Sequence, residues 1–293
     1  DASVCEMETA EVLKTLKTNA IPAASFAVLD RGHVAWAHHH GRTAIGGGQP
    51  VNARTLYRIG SITKTMAAMS ALILSKRGEL DSDAPATEYL PELSEVIYPT
   101  ADSPPITVRH LLTHTSGLPR VGGLDYASAR RGPVSRSDVL AALVGAELKH
   151  APGTKNDYSN LAFAVLGLII ENVAEAPFVE VLTERVLRPL GMRGARWDGE
   201  AIGSASLATG YHWDGKRLAA RHHWRLGAAE AMGGMYATLD DMIRYAGYHM
   251  TAWPPGSRPD MPPLSNAALR ESHLLGGYQL PGRSGSGFGW GVA

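Results

Sequence analysis

Cysteine is almost absent from this sequence, since Cys5 is the only one. No disulfide can form within the chain, so the cysteine content leaves the compartment open. The sequence begins at Asp1 without a charged and then apolar leader, which is typical of a mature exported protein and equally of a trimmed chain. We expect a periplasmic or extracellular location, with the cytoplasm as the alternative.

The sequence also lacks a charge surplus and a long apolar run. Lysine and arginine together number 28, and aspartate and glutamate together number 28, so no overall field attracts nucleic acid or an acidic membrane surface. The longest apolar run, Leu161 to Ile170, is about half of the ~20 residues that a helix needs to cross a bilayer. We therefore expect a small-molecule or peptide substrate, no nucleic-acid partner and no membrane span.

Signatures of three common enzyme classes are missing. There is no Gly-x-Ser-x-Gly elbow, no His-Glu-x-x-His zinc helix and no phosphate-binding Gly-Lys-Thr loop, which argues against an α/β-hydrolase, a zincin and an NTPase. His38, His39 and His40 would alternate between the faces of a strand. His222 and His223 are adjacent, so neither group has metal-ligand spacing. We expect neither a metal nor a cofactor.

Apolar spacing, glycine and proline divide the chain into elements. Two runs joined at Arg31-Gly32 predict a β-hairpin, Ala23 to Asp30 and His33 to His40, and Gly46 to Gly48 predict a loop. An irregular segment is predicted for residues 81–105 and a last strand for residues 288–292. Helices are predicted over Glu6 to Lys17, Ser61 to Arg77, Thr107 to Leu112, Leu161 to Val173, Phe178 to Leu187 and Leu239 to Met250, with N-caps at Thr107 and at Thr238 or Asp240. This order predicts an α+β fold.

Ser61 and Lys64 form a Ser-x-x-Lys pair in the first turn of one predicted helix. Residues i and i+3 share a helix face, so the amine can reach the hydroxyl. A serine is a weak nucleophile until a base takes its proton, and a partly desolvated lysine can fall in pKa far enough to help. The helix N-terminus adds donors where an oxyanion would form. The pair predicts covalent catalysis, and the alternative is a capping serine followed by a solvated lysine.

Tyr158 and Asn160 form a second cluster directly before the apolar helix at Leu161. A phenol near a cationic lysine can titrate low enough to act as a base. An amide two residues later can face the same way and hold the substrate or the lysine. The alternative is a structural tyrosine beside a helix cap.

Longer segments around both clusters resemble the penicillin-recognising serine hydrolases, the family of class C β-lactamases, D-alanyl-D-alanine peptidases, D-aminopeptidases and family VIII carboxylesterases. The run YRIGSITKT at residues 57–65 is similar to the family's nucleophile segment, and ITVRHLLTHTSGL at residues 106–118 is similar to its second signature. The resemblance runs from about Ala23 to Trp290. Further similar segments follow in the family's order: Pro152-Gly153 before Tyr158, Pro189 to Met192, and Gly233 to Thr238 with Asp240 and Asp241.

The resemblance implies a β-lactamase/transpeptidase-like α+β fold, with an antiparallel sheet flanked by helices and an inserted all-helical lobe. It implies one catalytic unit over residues 1–293, whose α/β lobe comes from residues 1–60 and about 235–293 and whose helical lobe spans about 61–234. If the family's roles are carried over to this sequence, Ser61 is acylated and its N–H forms part of an oxyanion hole. Lys64 and Tyr158 shuttle the proton of Ser61, and Asn160 orients the substrate or the lysine. His114, in the second signature, is expected to hold a loop by hydrogen bonding.

The family's third active-site element, a Lys-Thr-Gly or His-x-Gly triplet on a strand, does not follow the glycine-rich stretch at residues 287–291. A sheet without that region would keep an open apolar edge, which is an aggregation hazard. We therefore expect a C-terminal companion chain to complete the sheet, with a chain cut short as the alternative. The implied function is hydrolysis of small amides, D-residue-containing peptides or esters. The rival is a penicillin-binding sensor that is acylated without turnover.

Overall fold

The computed structural model describes residues 2–126, 132–197, 199, 201–202, 206–274, 276–279 and 284–292. Its α-helices are α1 Ala2–Thr18, α2 Thr63–Lys76, α3 Val108–Leu112, α4 Arg136–Ala141, α5 Asn160–Ala174, α6 Phe178–Leu182, α7 Leu239–Met250 and α8 Asn266–His273. Its strands are β1 Ala23–Asp30, β2 His33–Ala44, β3 Gly47–Pro50, β4 Tyr57–Arg58, β5 Tyr211–Trp213, β6 Leu218–Ala220, β7 Tyr236–Ala237, β8 Gly277–Gln279, β9 Ser284–Ser286 and β10 Gly291–Val292. Every strand-to-strand ladder between them is antiparallel.

The opening hairpin is confirmed, and its second strand is longer than predicted. β1 pairs with β2 from Ala23 opposite Gly41 to Asp30 opposite His33, and β2 continues to pair with β3. The loop predicted at Gly46 to Gly48 is therefore wrong in part, because the last two of these glycines begin β3. Gly48 has a φ of +69°, and a Cβ there would lie 2.5 Å from a backbone nitrogen of β2. The tight reversal thus depends on glycine.

The centre of the molecule is built on α2 and α5. All residues of α2 from Thr63 to Leu74 are buried, as are all residues of α5 from Leu161 to Ile170. The alanine-, methionine- and leucine-rich sequence of α2 favours a helix. Gly78, at a φ of +73°, closes it with a Schellman motif, in which the N–H of Gly78 bonds to Ser75 O and that of Glu79 to Leu74 O. Both predicted helices are confirmed, although the first turn from Gly60 to Ile62 is a 3-10 helix.

Reciprocal side-chain caps begin two further predicted helices. The Thr107 hydroxyl accepts from the His110 N–H before α3, and the Thr238 hydroxyl accepts from the Asp241 N–H before α7. In each case the later side chain accepts from the N–H of the threonine, which completes a capping box. The N-caps predicted at both threonines are confirmed.

Several short elements differ from the prediction. The helix predicted over residues 178–187 is α6 followed by a π-helical turn, Thr183–Leu187, and residues 81–105 contain two 3-10 turns. The β5–β6 hairpin lies inside the lobe predicted to be all-helical, and α8 was not predicted. The last strand covers residues 291–292 instead of 288–292. Strands of two or three residues exist through their pairing partners and carry too few residues for a period of two to be visible.

No single helix in the described part of the chain has both the length and the apolar character needed to cross a membrane. Only α5 and the stretch from α6 to Leu187 meet those criteria when taken together, and they are bent by 79° with respect to each other.

Candidate active site

Ser61 lies in the 3-10 turn that joins the short β4–β7 ladder to α2. The N–H of Ile59 bonds to Met235 O at 3.1 Å, which continues the contact between the two strands. Gly60 then turns the chain with a φ of +54°, and the Ser61 side chain is exposed. The N-cap of α2 is Ile62, and no side-chain hydrogen bond caps the helix. The alternative of a capping serine at position 61 is therefore wrong.

Lys64 lies one turn later and is 1% exposed, so the alternative of a solvated lysine is also wrong. Its Nζ lies 3.3 Å from Ser61 Oγ, donates to Asn160 Oδ1 at 2.8 Å, and donates to the carbonyl of Met232 in a short contact. Burial, assisted by the positive charge of Arg120, lowers the pKa of Lys64 to about 7. A substantial neutral fraction of Lys64 is therefore present near neutral pH.

The three polar neighbours of Lys64 have unequal roles. The Asn160 amide oxygen and the Met232 carbonyl can only accept hydrogen bonds, whereas the Ser61 hydroxyl can also donate. A neutral amine has two N–H groups and one lone pair. Once the two N–H groups are directed to the two acceptors, the lone pair is left for the hydroxyl of Ser61. This arrangement suits transfer of the serine proton to Lys64.

Tyr158 lies on the other side of Ser61. Its Oη is 2.6 Å from Ser61 Oγ, and its ring centroid is 5.0 Å from Lys64 Nζ. Burial raises the pKa of Tyr158, and this effect exceeds the opposing effects of the hydrogen bond with Ser61 and the charge of Arg120. The expectation of a phenol that titrates low is therefore wrong. Tyr158 keeps its proton at neutral pH and is a hydrogen-bond donor.

The segment that carries Tyr158 is held by the second signature. His114 accepts from the Ser159 N–H at Nδ1, and its ring lies 4.4 Å from the ring of Tyr158. Burial lowers the pKa of His114 to about 3, so the ring is neutral and can accept this bond. The Ser159 hydroxyl donates to Pro119 O and accepts from the Ala162 N–H, where it caps α5. His114 thus holds a loop by hydrogen bonding, as expected.

The other histidines singled out in the sequence lie away from this cluster. His38, His39 and His40 are consecutive residues of β2, and His39 Nδ1 is 2.9 Å from a serine hydroxyl on β1. His223 Nδ1 is 3.1 Å from Tyr236 Oη. In the described ranges, no group of three or more histidine, cysteine, aspartate or glutamate side chains is placed to hold a metal ion.

A cavity of about 200 Å³ opens over Ser61. Sequence reasoning missed three side chains that line it, Arg120, Tyr126 and Trp224, and it also missed the Met232 carbonyl that accepts from Lys64. A backbone acceptor leaves no trace in residue identity. Arg120 lies two residues after the second signature, which was the one available signal, whereas Trp224 is brought to the site from a distant part of the chain.

Comparison with known proteins shows where the chain belongs. The family described as beta-lactamase matches residues 9–293. Esterase EstB of Burkholderia gladioli is 29% identical over 313 residues, covering 95% of this chain and 76% of EstB. The D-alanyl-D-alanine-carboxypeptidase/endopeptidase AmpH of Escherichia coli K12 is 30% identical over 263 residues, covering 86% of this chain. The chain spans 64% of the length of AmpH.

Solved structures show the same fold. The octameric penicillin-binding protein homologue from Pyrococcus abyssi superposes with a TM-score of 0.78 at 24% identity, covering 98% of this chain and 64% of that one. The antiparallel sheets and the surrounding helices are those of the β-lactamase/transpeptidase-like α+β class that the sequence predicts. The match over nearly the whole chain, together with the shared fold, establishes that the chain belongs to the beta-lactamase family.

Proposed function

We propose that this chain is the catalytic unit of a serine acyl hydrolase, which forms an acyl-enzyme on Ser61 and cleaves small amides, D-residue-containing peptides or esters. One observation carries the proposal: Ser61 Oγ lies 2.6 Å from Tyr158 Oη and 3.3 Å from the Nζ of the buried Lys64. An esterase and a carboxypeptidase among the relatives support the same reaction class.

Acylation begins with neutral Lys64. Its lone pair takes the proton of Ser61 as Oγ attacks the substrate carbonyl, so the serine becomes nucleophilic without a free alkoxide. The Tyr158 hydroxyl donates to Ser61 Oγ before attack and remains beside the reacting atoms. When the tetrahedral intermediate collapses, the Lys64 ammonium gives its proton to the leaving group, directly or through the Tyr158 hydroxyl, so that Lys64 is neutral again and Tyr158 keeps a proton.

The negative charge of the intermediate develops next to the start of a helix. N–H groups in a first turn have no acceptor within the helix, and the Ser61 N–H belongs to such a turn. We assign this N–H to the oxyanion. Water then attacks the acyl-enzyme with Lys64 again as base, and Asn160 keeps the Lys64 amine directed by accepting one of its N–H bonds.

The test combines labelling with turnover. The protein is incubated with a fluorophosphonate, the labelled peptide is mapped by mass spectrometry, and hydrolysis of 4-nitrophenyl esters and D-residue anilides is followed. We expect label on Ser61 and turnover that Ser61→Ala abolishes. Label on Ser61 without product release would instead indicate an acylated sensor, and turnover unaffected by Ser61→Ala would contradict the proposal.

We also propose that a companion polypeptide segment adds to the free edge of β1. β1 pairs with β2 on one side, and within the described ranges no strand pairs with its other edge. A cavity of about 750 Å³ opens between the β1–β2 turn and Trp290. The buried His249 Nε2 and Trp290 Nε1 make no hydrogen bond to the described residues. Unpaired edge groups and buried ring nitrogens are positions that added backbone would satisfy.

Mass spectrometry of the protein isolated from its source tests this addition. We expect a bound segment in the native spectrum that separates from the chain under denaturing conditions. A spectrum with the same single species under native and denaturing conditions would contradict it.

A further inference from the structure

Arg120 is the one arginine that lines the cavity over Ser61 in the described part of the chain. Its backbone is fixed, because its carbonyl accepts from the N–H groups of Asn160 and Leu161 at the start of α5. Its guanidinium carbon lies 5.2 Å from the centre of the Tyr158 ring, a distance typical of a cation–π contact. The charge is therefore held next to the catalytic hydroxyls.

Among the described residues, no carboxylate pairs with Arg120. None of the ion pairs between described residues involves Arg120, and no described aspartate or glutamate lines the cavity. Asp157, which precedes Tyr158, is paired with Lys149 at 2.8 Å. The charge of Arg120 reaches into the site, since it contributes to the lowered pKa of Lys64. The cleft therefore carries a positive charge beside Ser61 that no described carboxylate pairs with.

Two aromatic side chains also line the cavity. Tyr126 and Trp224 pack edge to face with ring centroids 5.2 Å apart, and Arg58 covers the Trp224 ring at 3.7 Å. These rings give the cavity an apolar surface in addition to the guanidinium. A ligand that suits both has an apolar chain and an anionic end.

We propose that Arg120 is a specificity-determining residue that binds a carboxylate of the substrate, so that the site prefers acyl donors bearing a carboxylate over neutral ones of the same shape. A guanidinium forms two parallel hydrogen bonds with a carboxylate, which provides orientation as well as attraction. The inference rests on the proposed acyl transfer at Ser61 and adds the substrate class to it.

The experiment uses two esters that differ in one charge, 4-nitrophenyl hydrogen adipate and its methyl ester. The ratio of their kcat/KM values is measured for the unmodified protein and for Arg120→Gln at one pH. Any change in the protonation of Lys64 affects both esters equally and cancels in the ratio. We expect the unmodified protein to prefer the anionic ester, and Arg120→Gln to lower that preference by about tenfold.

Two further variants separate charge from structure. Arg120→Lys keeps the charge but not the planar fork, and we expect it to retain part of the preference. Arg193→Gln removes an exposed charge at another cavity and should leave the ratio unchanged. Added salt should weaken the preference of the unmodified protein.

The outcomes distinguish the two proposals. Turnover of both esters with the same ratio in the unmodified protein and Arg120→Gln would overturn the role of Arg120 alone. If the folded, unmodified protein hydrolyses neither ester, both the proposed hydrolase activity and the proposed specificity would be overturned.

Discussion

The helical centre around α2 and α5 and the sheet of β1, β2 and β3 are built differently. In the centre, long runs of residues are buried on every side. In the sheet, Thr43 is the one buried residue and the others are half-buried or exposed; Val28 and Val34 are 38% and 48% exposed. The sheet also has a free edge at β1 within the described ranges.

The difference shows where the geometry of the proposed catalytic site is protected. Lys64 and Asn160 belong to the two central helices, and Ser61 and Tyr158 lie directly before them. The groups of the proposed site are therefore positioned by the buried centre of the molecule, and the same burial lowers the pKa of Lys64. The sheet contributes none of these four side chains, and its exposed edge and apolar side chains remain available for added polypeptide.

The largest expected effect comes from the buried lysine of α2. Lys64→Ala should lower kcat/KM for a nitrophenyl ester by about 10³-fold, because the base for Ser61 is lost. The matched control is Lys76→Ala in the last turn of the same helix, where the side chain is half-exposed and pairs with Glu271 at 3.0 Å. We expect this control to change the rate by less than about twofold, since an exposed ion pair contributes little. Equal losses in both variants would contradict the role of Lys64.

A pair of truncations compares the stability of the two regions. Leu166→Ala in α5, where the side chain is 0% exposed, should reduce the free energy of unfolding by about 2–5 kcal/mol, because it leaves a cavity. Val34→Ala in β2, where the side chain is 48% exposed, should change it by less than about 0.5 kcal/mol. Urea unfolding followed by circular dichroism measures both. Similar losses at the two positions would mean that the sheet is buried in solution.

The smallest expected effect is a shift in pH dependence. Activity requires neutral Lys64, so kcat/KM should rise with pH through a midpoint near the lowered pKa of about 7. Arg120→Gln removes a positive charge that disfavours the ammonium form, so the pKa of Lys64 and the midpoint should both move upward. The pH–rate profile of a neutral ester measures this. A midpoint that is unchanged or lower in the variant would contradict the electrostatic contact.

Much of the local structure could be predicted from the sequence. The hairpin turn at Arg31-Gly32, the helix closed by Gly78 and the caps at Thr107 and Thr238 all depend on residues a few positions apart. The short strands, the helix α8 and the π-helical turn after α6 could not, because pairing and packing with distant segments determine them. The low-titrating phenol predicted at Tyr158 was wrong for a similar reason. A charged neighbour was visible in the sequence, but the extent of burial was not.

By itself, the sequence determined that Ser61 and Lys64 share the start of one helix, since three positions along a helix always return to the same face. Only the tertiary structure decided that Tyr158, 97 residues further along the chain, lies 2.6 Å from Ser61, and that Arg120 projects its charge into the same cleft. It also decided the protonation of Lys64, because a pKa is set by the surroundings of the amine and those come from distant segments.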